Sequence, residues 1–151
     1  MNLSEPYMKN EIIFVVMGDS EIKSIRDLKG KRVGVQSGST AQDKLEETDI
    51  YPDITKITFE ENLTLLQKLE EKEIDAALID SVVAYYFISS SESRFFVLPD
   101  SLAEEEYAIG FRKGDQKLRD RIQKILIGMK TDGTLGRISK TWFGSDITTV
   151  R

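Results

Sequence analysis

The chain contains no cysteine and no histidine. Without cysteine it has neither a disulfide framework nor thiol chemistry. Without histidine it lacks the commonest general base and the commonest metal ligand, and zinc sites built on histidine or cysteine are excluded. No apolar run approaches the ~20 residues that a helix needs to span a bilayer. These absences argue against a thiol enzyme, a zinc site of histidine or cysteine, and a membrane-spanning segment.

The first residues, Met1 to Pro6, have neither the basic start nor the apolar core of a secretory leader. Two explanations remain open at this point: a cytoplasmic protein, or a chain from which a leader has been removed.

The charge balance argues against nucleic acid as the main partner, because the net charge is −5. The distribution is uneven, since residues 112–140 carry nine basic and three acidic residues. A basic amphipathic helix can bind membranes or nucleic acid. We favour the alternative, a solvated helix face. The length of 151 residues suits one domain or two small lobes.

Apolar and β-branched runs alternate with helical patterns along the chain. We predict strands at residues 11–17, 32–36, 54–59, 74–79, 95–98 and 106–111. We predict helices at residues 41–47, from a cap at Asn62 to 73, at 82–88, from a cap at Asp115 to 129, and from 134 to 143. A polar loop is predicted at residues 89–93. This alternation is typical of βαβ units and predicts an α/β fold built on a parallel sheet.

The stretch from Arg32 to Asp43 carries the clearest local signal. A strand with Val33 and Val35 runs into a turn that contains Gly38, and Ser39 with Gln42 reads as a capping box for the next helix. Unpaired N–H groups and the helix dipole at such a turn favour a small anion, such as a carboxylate or phosphate. The alternative is an ordinary βα turn whose serine and threonine only cap the helix.

Five segments, in this order, resemble a known family. They are Ser4-Glu-Pro-Tyr7, Ile25-Arg-Asp-Leu-Lys-Gly-Lys-Arg-Val-Gly-Val-Gln-Ser-Gly-Ser-Thr40, Ile74-Asp-Ala-Ala-Leu-Ile-Asp80, Ala108-Ile-Gly-Phe-Arg-Lys-Gly-Asp115, and Met129-Lys-Thr-Asp-Gly-Thr-Leu135 with Trp142-Phe143-Gly144. The chain is similar to the polar amino acid solute-binding proteins of ABC importers, which have the type II periplasmic-binding-protein fold. The resemblance extends over essentially the whole chain.

The resemblance implies two α/β lobes that close on an amino acid held at their interface. Residues 11–108 would form the second ligand-binding lobe, and residues 1–10 and 109–151 a remnant of the first lobe with its C-terminal helices. Family members carry a further βαβαβα half of the first lobe before the Ser-x-Pro-Tyr segment. The arginine that grips the ligand carboxylate and the aromatic residues that sandwich the ligand lie in that half and have no counterpart here.

The resemblance also implies the site residues. Ser39 and Thr40 would bind the α-carboxylate, Gly38 would allow close approach, Asp80 would pair with the α-ammonium, and Gln36 would line the side-chain pocket. The residue pattern agrees, because parallel strands that end at Gln36 and before Asp80 present their carboxyl ends to one crevice. The alternative for Asp80 is that it only caps the following helix. Asp75, within the buried strand pattern, is interpreted as structural.

We therefore expect the substrate-binding component, or a fragment of it, of an ABC importer for a polar amino acid. It would not be an enzyme and would need no cofactor and no metal. The alternatives are an enzyme on the same fold, such as a dehydratase, and the amino acid sensor domain of a receptor. The expected partner is the membrane permease, and the expected location is periplasmic or extracellular, with a lipoprotein anchor in the full-length form. We also expect a homodimer through the C-terminal helices, whose apolar faces need a partner.

Overall fold

The structure is a computed structural model that describes residues 1–90 and 94–151, apart from the side chain of Ser90. The chain divides into two compact units, Glu11–Ala103 and Met1–Asn10 with Glu104–Arg151. The strands are β1 (Asn2–Leu3), β2 (Met8–Met17), β3 (Arg32–Gln36), β4 (Thr55–Phe59), β5 (Ala76–Asp80), β6 (Phe95–Tyr107) and β7 (Gly110–Phe111). The helices are α1 (Thr40–Glu46), α2 (Asn62–Glu70), α3 (Ser81–Ser90), α4 (Gln116–Thr131) and α5 (Thr134–Phe143), with 3₁₀ turns at Ile25–Leu28 and Tyr51–Asp53.

The unit Glu11–Ala103 is built on a five-stranded sheet with the order β4-β3-β5-β2-β6. Strand β3 pairs in parallel with both β4 and β5, whereas β2 pairs antiparallel with β5. The predicted α/β fold is therefore confirmed, but the sheet is mixed rather than wholly parallel. The segment between β2 and β3 contains only the short Ile25–Leu28 turn.

Side chains on the two faces of this sheet enter separate apolar clusters. On β2, Ile12 and Phe14 face the side covered by α1, while Ile13 and Val15 face α2 and α3. Strand β5 is buried on both faces, as its unbroken apolar run predicted. The result is a three-layer arrangement that fixes the carboxyl ends of β3, β4 and β5 relative to one another.

Strand β6 continues through Pro99 instead of stopping there, so the strand end predicted before Pro99 is wrong. Strand β6 lies at the edge of the sheet. Proline is tolerated on edge strands, because its missing N–H interrupts no hydrogen bond to a further neighbour. The strand predicted at residues 106–111 is accordingly divided between the end of β6 and the short strand β7.

Two helix boundaries also differ from the predictions. Asn62 is the first residue of α2, and the N-cap is Glu61. Helix α3 continues through Ser89 and Ser90, which were predicted to open a polar loop, while residues 91–93 of that predicted loop lie outside the described residues. Serine has a lower helix propensity than alanine or leucine, but propensity is a weak signal that tertiary context overrides, so composition alone misplaces the boundary.

In the unit Met1–Asn10 with Glu104–Arg151, β1 pairs antiparallel with β7, and α4 and α5 follow. Of the residues that the structure describes in these helices, Gln123 of α4 and Ser139 of α5 are the two buried ones. Both act as hydrogen-bond acceptors for backbone: Gln123 Oε1 for Glu5 N–H at 3.0 Å, and Ser139 Oγ for Ile147 N–H at 2.9 Å.

The apolar face predicted for α4 and α5 is partly solvent-exposed in this unit. Leu118 is 50% exposed, Ile125 47% and Trp142 53%. The predicted amphipathic pattern is therefore partly covered. Its exposed members are Leu118, Ile125, Ile138 and Trp142, and its half-buried members are Ile122, Leu126, Met129, Leu135 and Phe143.

The unit boundary lies between Ala103 and Glu104, and the sequence places it between residues 108 and 109. The assignment of the two units to ligand-binding lobes stays a prediction. No helix among residues 1–90 and 94–151 has the length and apolar character to cross a membrane.

Candidate functional site

The predicted anion-binding turn connects β3 to α1. Gly38 has a φ of +67°, a left-handed conformation that glycine adopts without the strain a side chain would bring. The Ser37 N–H donates to the Phe59 carbonyl at 2.8 Å and so ties the turn to the end of β4. The sequence signal for a tight, glycine-containing βα turn is confirmed.

Ser39 is the N-cap of α1, as predicted. Its Oγ accepts from the Gln42 N–H at 3.2 Å and donates to the Gln36 carbonyl at 2.8 Å. The second half of the predicted capping box differs, because Gln42 Oε1 accepts from the Gly38 N–H at 3.0 Å instead of from Ser39. Gln42 is a residue of this site that the sequence reasoning used only as a capping signal.

The first turn of α1 presents outward-pointing backbone donors. Among residues 1–90 and 94–151, the N–H groups of Thr40 and Ala41 have no protein acceptor, as is usual for a helix N-terminus. Thr40 itself is exposed. The turn thus combines a hydroxyl with adjacent N–H donors, which is the chemistry that a carboxylate needs.

Gln36 ends β3 next to this turn. Its side-chain Nε2 donates to the Glu60 carbonyl at 2.9 Å. This bond joins the ends of β3 and β4 and fixes the carboxamide, so that its Oε1 is the group positioned to accept from a ligand.

Asp80 ends β5 at the same edge of the sheet. In the parallel pairing of β3 with β5, Val35 lies opposite Leu78, so Gln36 and Asp80 both follow at the carboxyl ends. Asp80 is half-buried and also pairs with Ile12 of β2. It directly precedes α3, so the alternative role of helix cap stays open.

Ser81, the first residue of α3, is buried, and its Oγ accepts from the Glu11 N–H at 3.0 Å. This places Glu11 at the same sheet edge. Burial, followed by the charge of Glu11, raises the pKa of Tyr85 on α3. The sequence reasoning did not select Glu11 or Tyr85, because neither stands in a recognisable motif.

Asp75 lies at the opposite end of the strands and is structural, as predicted. Its carboxylate binds the backbone and the guanidinium of Arg32. The hydrogen bond from the Arg32 side chain holds the pKa of Asp75 below its ordinary value, against the opposing effect of burial.

A cleft also lies at that opposite end, and Asp19, Lys31 and Lys72 are among its lining residues. The exposed pair Lys72 Nζ and Asp19 Oδ2 stands at 3.8 Å. None of the predicted ligand residues lines this cleft, which separates it from the turn and Asp80.

The fold defines a class of protein: an α/β protein with the fold of type II periplasmic binding proteins. Residues 1–145 match the family model described as bacterial extracellular solute-binding proteins, family 3. The chain belongs to this family.

Two curated relatives are named as amino-acid-binding proteins. The arginine-binding extracellular protein ArtP of Bacillus subtilis is 39% identical over 147 residues, which cover 95% of this chain and 56% of the relative. The L-cystine-binding protein TcyJ of Escherichia coli is 31% identical over 149 residues, covering 97% of this chain and 55% of the relative. This chain spans about half the length of the curated relatives that it matches.

Solved structures agree with the fold. The substrate-binding protein of an ABC uptake transporter from Streptococcus pneumoniae, with bound histidine, superposes with a TM-score of 0.82 at 31% identity. That match covers 98% of this chain and 63% of the other. An ancestral arginine-binding protein bound to arginine gives a TM-score of 0.75 at 33% identity, covering 95% of this chain and 64% of the other.

Proposed function

We propose that this chain carries one part of the ligand site of an amino-acid-binding protein of an ABC importer. The turn Ser39–Thr40 receives the α-carboxylate through backbone N–H groups and the Thr40 hydroxyl. Asp80 pairs with the α-ammonium, Gln36 lines the side-chain pocket, and Gly38 allows close approach. The observation that carries the proposal is the convergence of the donor-rich turn and the Asp80 carboxylate at one sheet edge, in a chain of this family.

The two ends of the site are electrostatically complementary to a zwitterion. A carboxylate gains from N–H donors at a helix N-terminus, where the dipole is positive. An ammonium gains from a half-buried carboxylate, because charge-assisted hydrogen bonds are roughly twice as strong as neutral ones. A polar amino acid satisfies both ends at once.

We infer that the ligand side chain is cationic. Glu60 and Glu61 follow β4 directly, and the Glu11 N–H is bonded to Ser81, so three acidic residues stand next to the strand ends that bear Gln36 and Asp80. Residues 36–40, 59–62 and 79–82 contain no lysine or arginine. The relative named for arginine binding supports the same choice.

The proposal is tested by NMR titration of the ¹⁵N-labelled chain with L-arginine, L-histidine and L-glutamine. We expect L-arginine to shift the amides of Gly38, Ser39, Thr40 and Asp80 in a saturable manner. We expect a dissociation constant of about 100 µM or weaker, because this unit supplies only part of the contacts. D-arginine is the control, because it carries the same charges at a Cα of opposite chirality. Shifts that are identical for the two enantiomers, or none with any of the amino acids, would contradict the proposal.

The chain acts by binding and not by catalysis. The relatives are named as binding proteins of transport systems. Proteins of this class deliver their ligand to a membrane permease, which is the second partner that we propose. We further propose a periplasmic or extracellular location and a lipoprotein anchor in the full-length form, in keeping with the extracellular family to which the chain belongs.

We also propose that the 151-residue chain self-associates as a homodimer through α4 and α5. The exposed apolar residues of these helices support this, since contiguous apolar patches above a few hundred Å² are rare on soluble monomers. A two-fold contact would bury the same patch on both copies.

A further inference from the structure

We propose that Gln42 is a positioning residue of the amino acid site, and that its side chain holds the Ser37–Thr40 turn in the form that accepts a carboxylate. This role rests on the proposed function of the turn. Gln42 itself is not a ligand contact, since its carboxamide is engaged with the protein on both sides.

The carboxamide of Gln42 bridges the turn and the next turn of α1. Its Oε1 accepts from the Gly38 N–H at 3.0 Å, and its Nε2 donates to Glu46 Oε1 at 2.9 Å. The Gln42 N–H is at the same time bonded to Ser39 Oγ at 3.2 Å. One residue therefore holds both Gly38 and Ser39, the two residues that precede Thr40.

The orientation of this carboxamide is set by Glu46. An ionised carboxylate only accepts hydrogen bonds, so the NH₂ end of Gln42 must face Glu46 and its oxygen must face Gly38. Lys56 of β4 forms an ion pair with Glu46, and its hydrogen bond, followed by that of Gln42, lowers the pKa of Glu46. A chain of contacts thus runs from Lys56 through Glu46 and Gln42 to Gly38.

Gly38 is the residue of the turn that most needs such a restraint. It is exposed, nothing lies within 4 Å of the position that a Cβ would take, and glycine has the greatest backbone freedom of all residues. Rotation of its peptide would redirect the N–H groups that follow it. A donor array that is already fixed before the ligand arrives loses less entropy on binding, and so binds more tightly.

The test compares Gln42→Met with Gln67→Met. Gln67 makes the same kind of contact on α2, donating from Nε2 to Glu71 Oε1 at 3.1 Å four residues later, away from the turn. We expect Gln42→Met to weaken L-arginine binding, read by NMR titration, by about three- to tenfold, the usual effect of one lost hydrogen bond. We expect Gln67→Met to change the binding less than about twofold, because it loses only a surface helix pair.

A second readout separates positioning from general stability. Amide exchange of Gly38 with water should accelerate severalfold in Gln42→Met and stay near the wild-type rate in Gln67→Met, which leaves the contacts of the turn in place. Should Gln42→Met fail to fold, Glu46→Gln serves instead, since it leaves Gln42 in place but no longer fixes its orientation. We expect it to weaken L-arginine binding by about two- to threefold.

The outcomes distinguish this role from the function on which it rests. A wild-type chain that binds none of the amino acids overturns the proposed function and this role with it. A wild-type chain that binds, with Gln42→Met binding equally well or more tightly, overturns the role of Gln42 alone. An unchanged rate of Gly38 amide exchange in Gln42→Met also overturns the role of Gln42 alone.

Discussion

Asp75 accepts three hydrogen bonds from a single residue, Arg32. Its Oδ2 accepts from the Arg32 N–H at 2.8 Å and from Nε at 3.0 Å, and its Oδ1 accepts from Nη2 at 2.8 Å. The bonds clamp the start of β3 to the residue that precedes β5. They therefore set the register of the two strands whose opposite ends carry Gln36 and Asp80.

We expect Asp75→Asn to lower the free energy of unfolding by about 1–3 kcal/mol, because the amide loses the charge and one acceptor of this clamp. Urea unfolding followed by circular dichroism measures the change. Asp53→Asn is the control, since Asp53 forms an exposed pair with Lys29 at 3.1 Å and should cost less than about 0.5 kcal/mol. Equal losses in the two variants would show that the clamp is no stronger than a surface ion pair.

The hydrogen bonds between Asp75 and Arg32 also predict how the stability of the chain depends on pH. The pKa of Asp75 is lowered in the folded chain, chiefly by the Arg32 hydrogen bond. A depressed carboxyl pKa contributes stability that is fully present above the unfolded value, about 3.9, and is lost as the pH falls through the lower folded value. Urea midpoints between pH 6 and pH 2.5 should therefore fall less steeply in Asp75→Asn than in wild type. Parallel curves would contradict the assignment.

Gly34 of β3 predicts a steric effect. A Cβ at this position would lie about 2.5 Å from Ile74 Cδ1 and 2.9 Å from Leu65 Cδ2, both in the buried cluster under α2. We expect Gly34→Ala to destabilise the chain by about 1–3 kcal/mol through overpacking. Gly128→Ala is the matched control, because nothing lies within 4 Å there and a helical glycine replaced by alanine gains about 0.5–1 kcal/mol. Chemical denaturation should show a lower free energy of unfolding for Gly34→Ala and a higher one for Gly128→Ala.

We expect Asp80→Ala to weaken L-arginine binding about 30- to 1,000-fold, because it removes a charge-assisted hydrogen bond to the ammonium. Calorimetry or NMR titration measures the change, with circular dichroism to establish folding. Thr40→Val should cost only about 1 kcal/mol, since the backbone N–H groups still hold the carboxylate. Unchanged affinity in a folded Asp80→Ala chain would remove Asp80 from the site, and an equally large effect of Thr40→Val would make its hydroxyl the dominant contact.

The apolar faces of α4 and α5 predict the oligomeric state. Light scattering with size exclusion should give a dimer, and Ile125→Lys with Trp142→Lys should shift it to a monomer by placing charge in the contact. Leu63→Lys, at an exposed apolar residue of α2, is the control. A wild-type chain that elutes as a 17.2 kDa monomer contradicts the proposal.

Local sequence signals predicted much of the fold and the turn of the candidate site. The turn at Gly38, the cap at Ser39 and the doubly buried strand β5 follow from neighbouring residues and from apolar periodicity. The antiparallel direction of β2 and the passage of β6 through Pro99 could not be predicted from these local signals. Both depend on which strand lies alongside in the finished sheet, and no short stretch of sequence encodes that.

In the candidate site, too, local sequence signals predicted the start of the helix but not the contacts between side chains and backbone. The Ser39–Gln42 spacing predicted a helix start, but the reach of Gln42 to Gly38 depends on the φ of Gly38 and on Glu46, one turn further on. The predicted apolar stripe of α4 was correct as a pattern. The exposure of Leu118 and Ile125 agrees with the expectation that the apolar faces of these helices need a partner, whereas the buried position of Gln123 does not follow from the apolar periodicity.

The inward placement of Gln123 and Ser139 has a calorimetric consequence. Heat capacity rises on unfolding in proportion to the apolar area newly exposed to water, and polar area lowers it. Helices α4 and α5 already expose part of their apolar area when folded, so their melting adds less new apolar surface than the melting of fully covered helices does. The unit that contains them should therefore show a smaller heat-capacity increment per residue than the apolar-cored unit Glu11–Ala103, and a correspondingly flatter dependence of its stability on temperature.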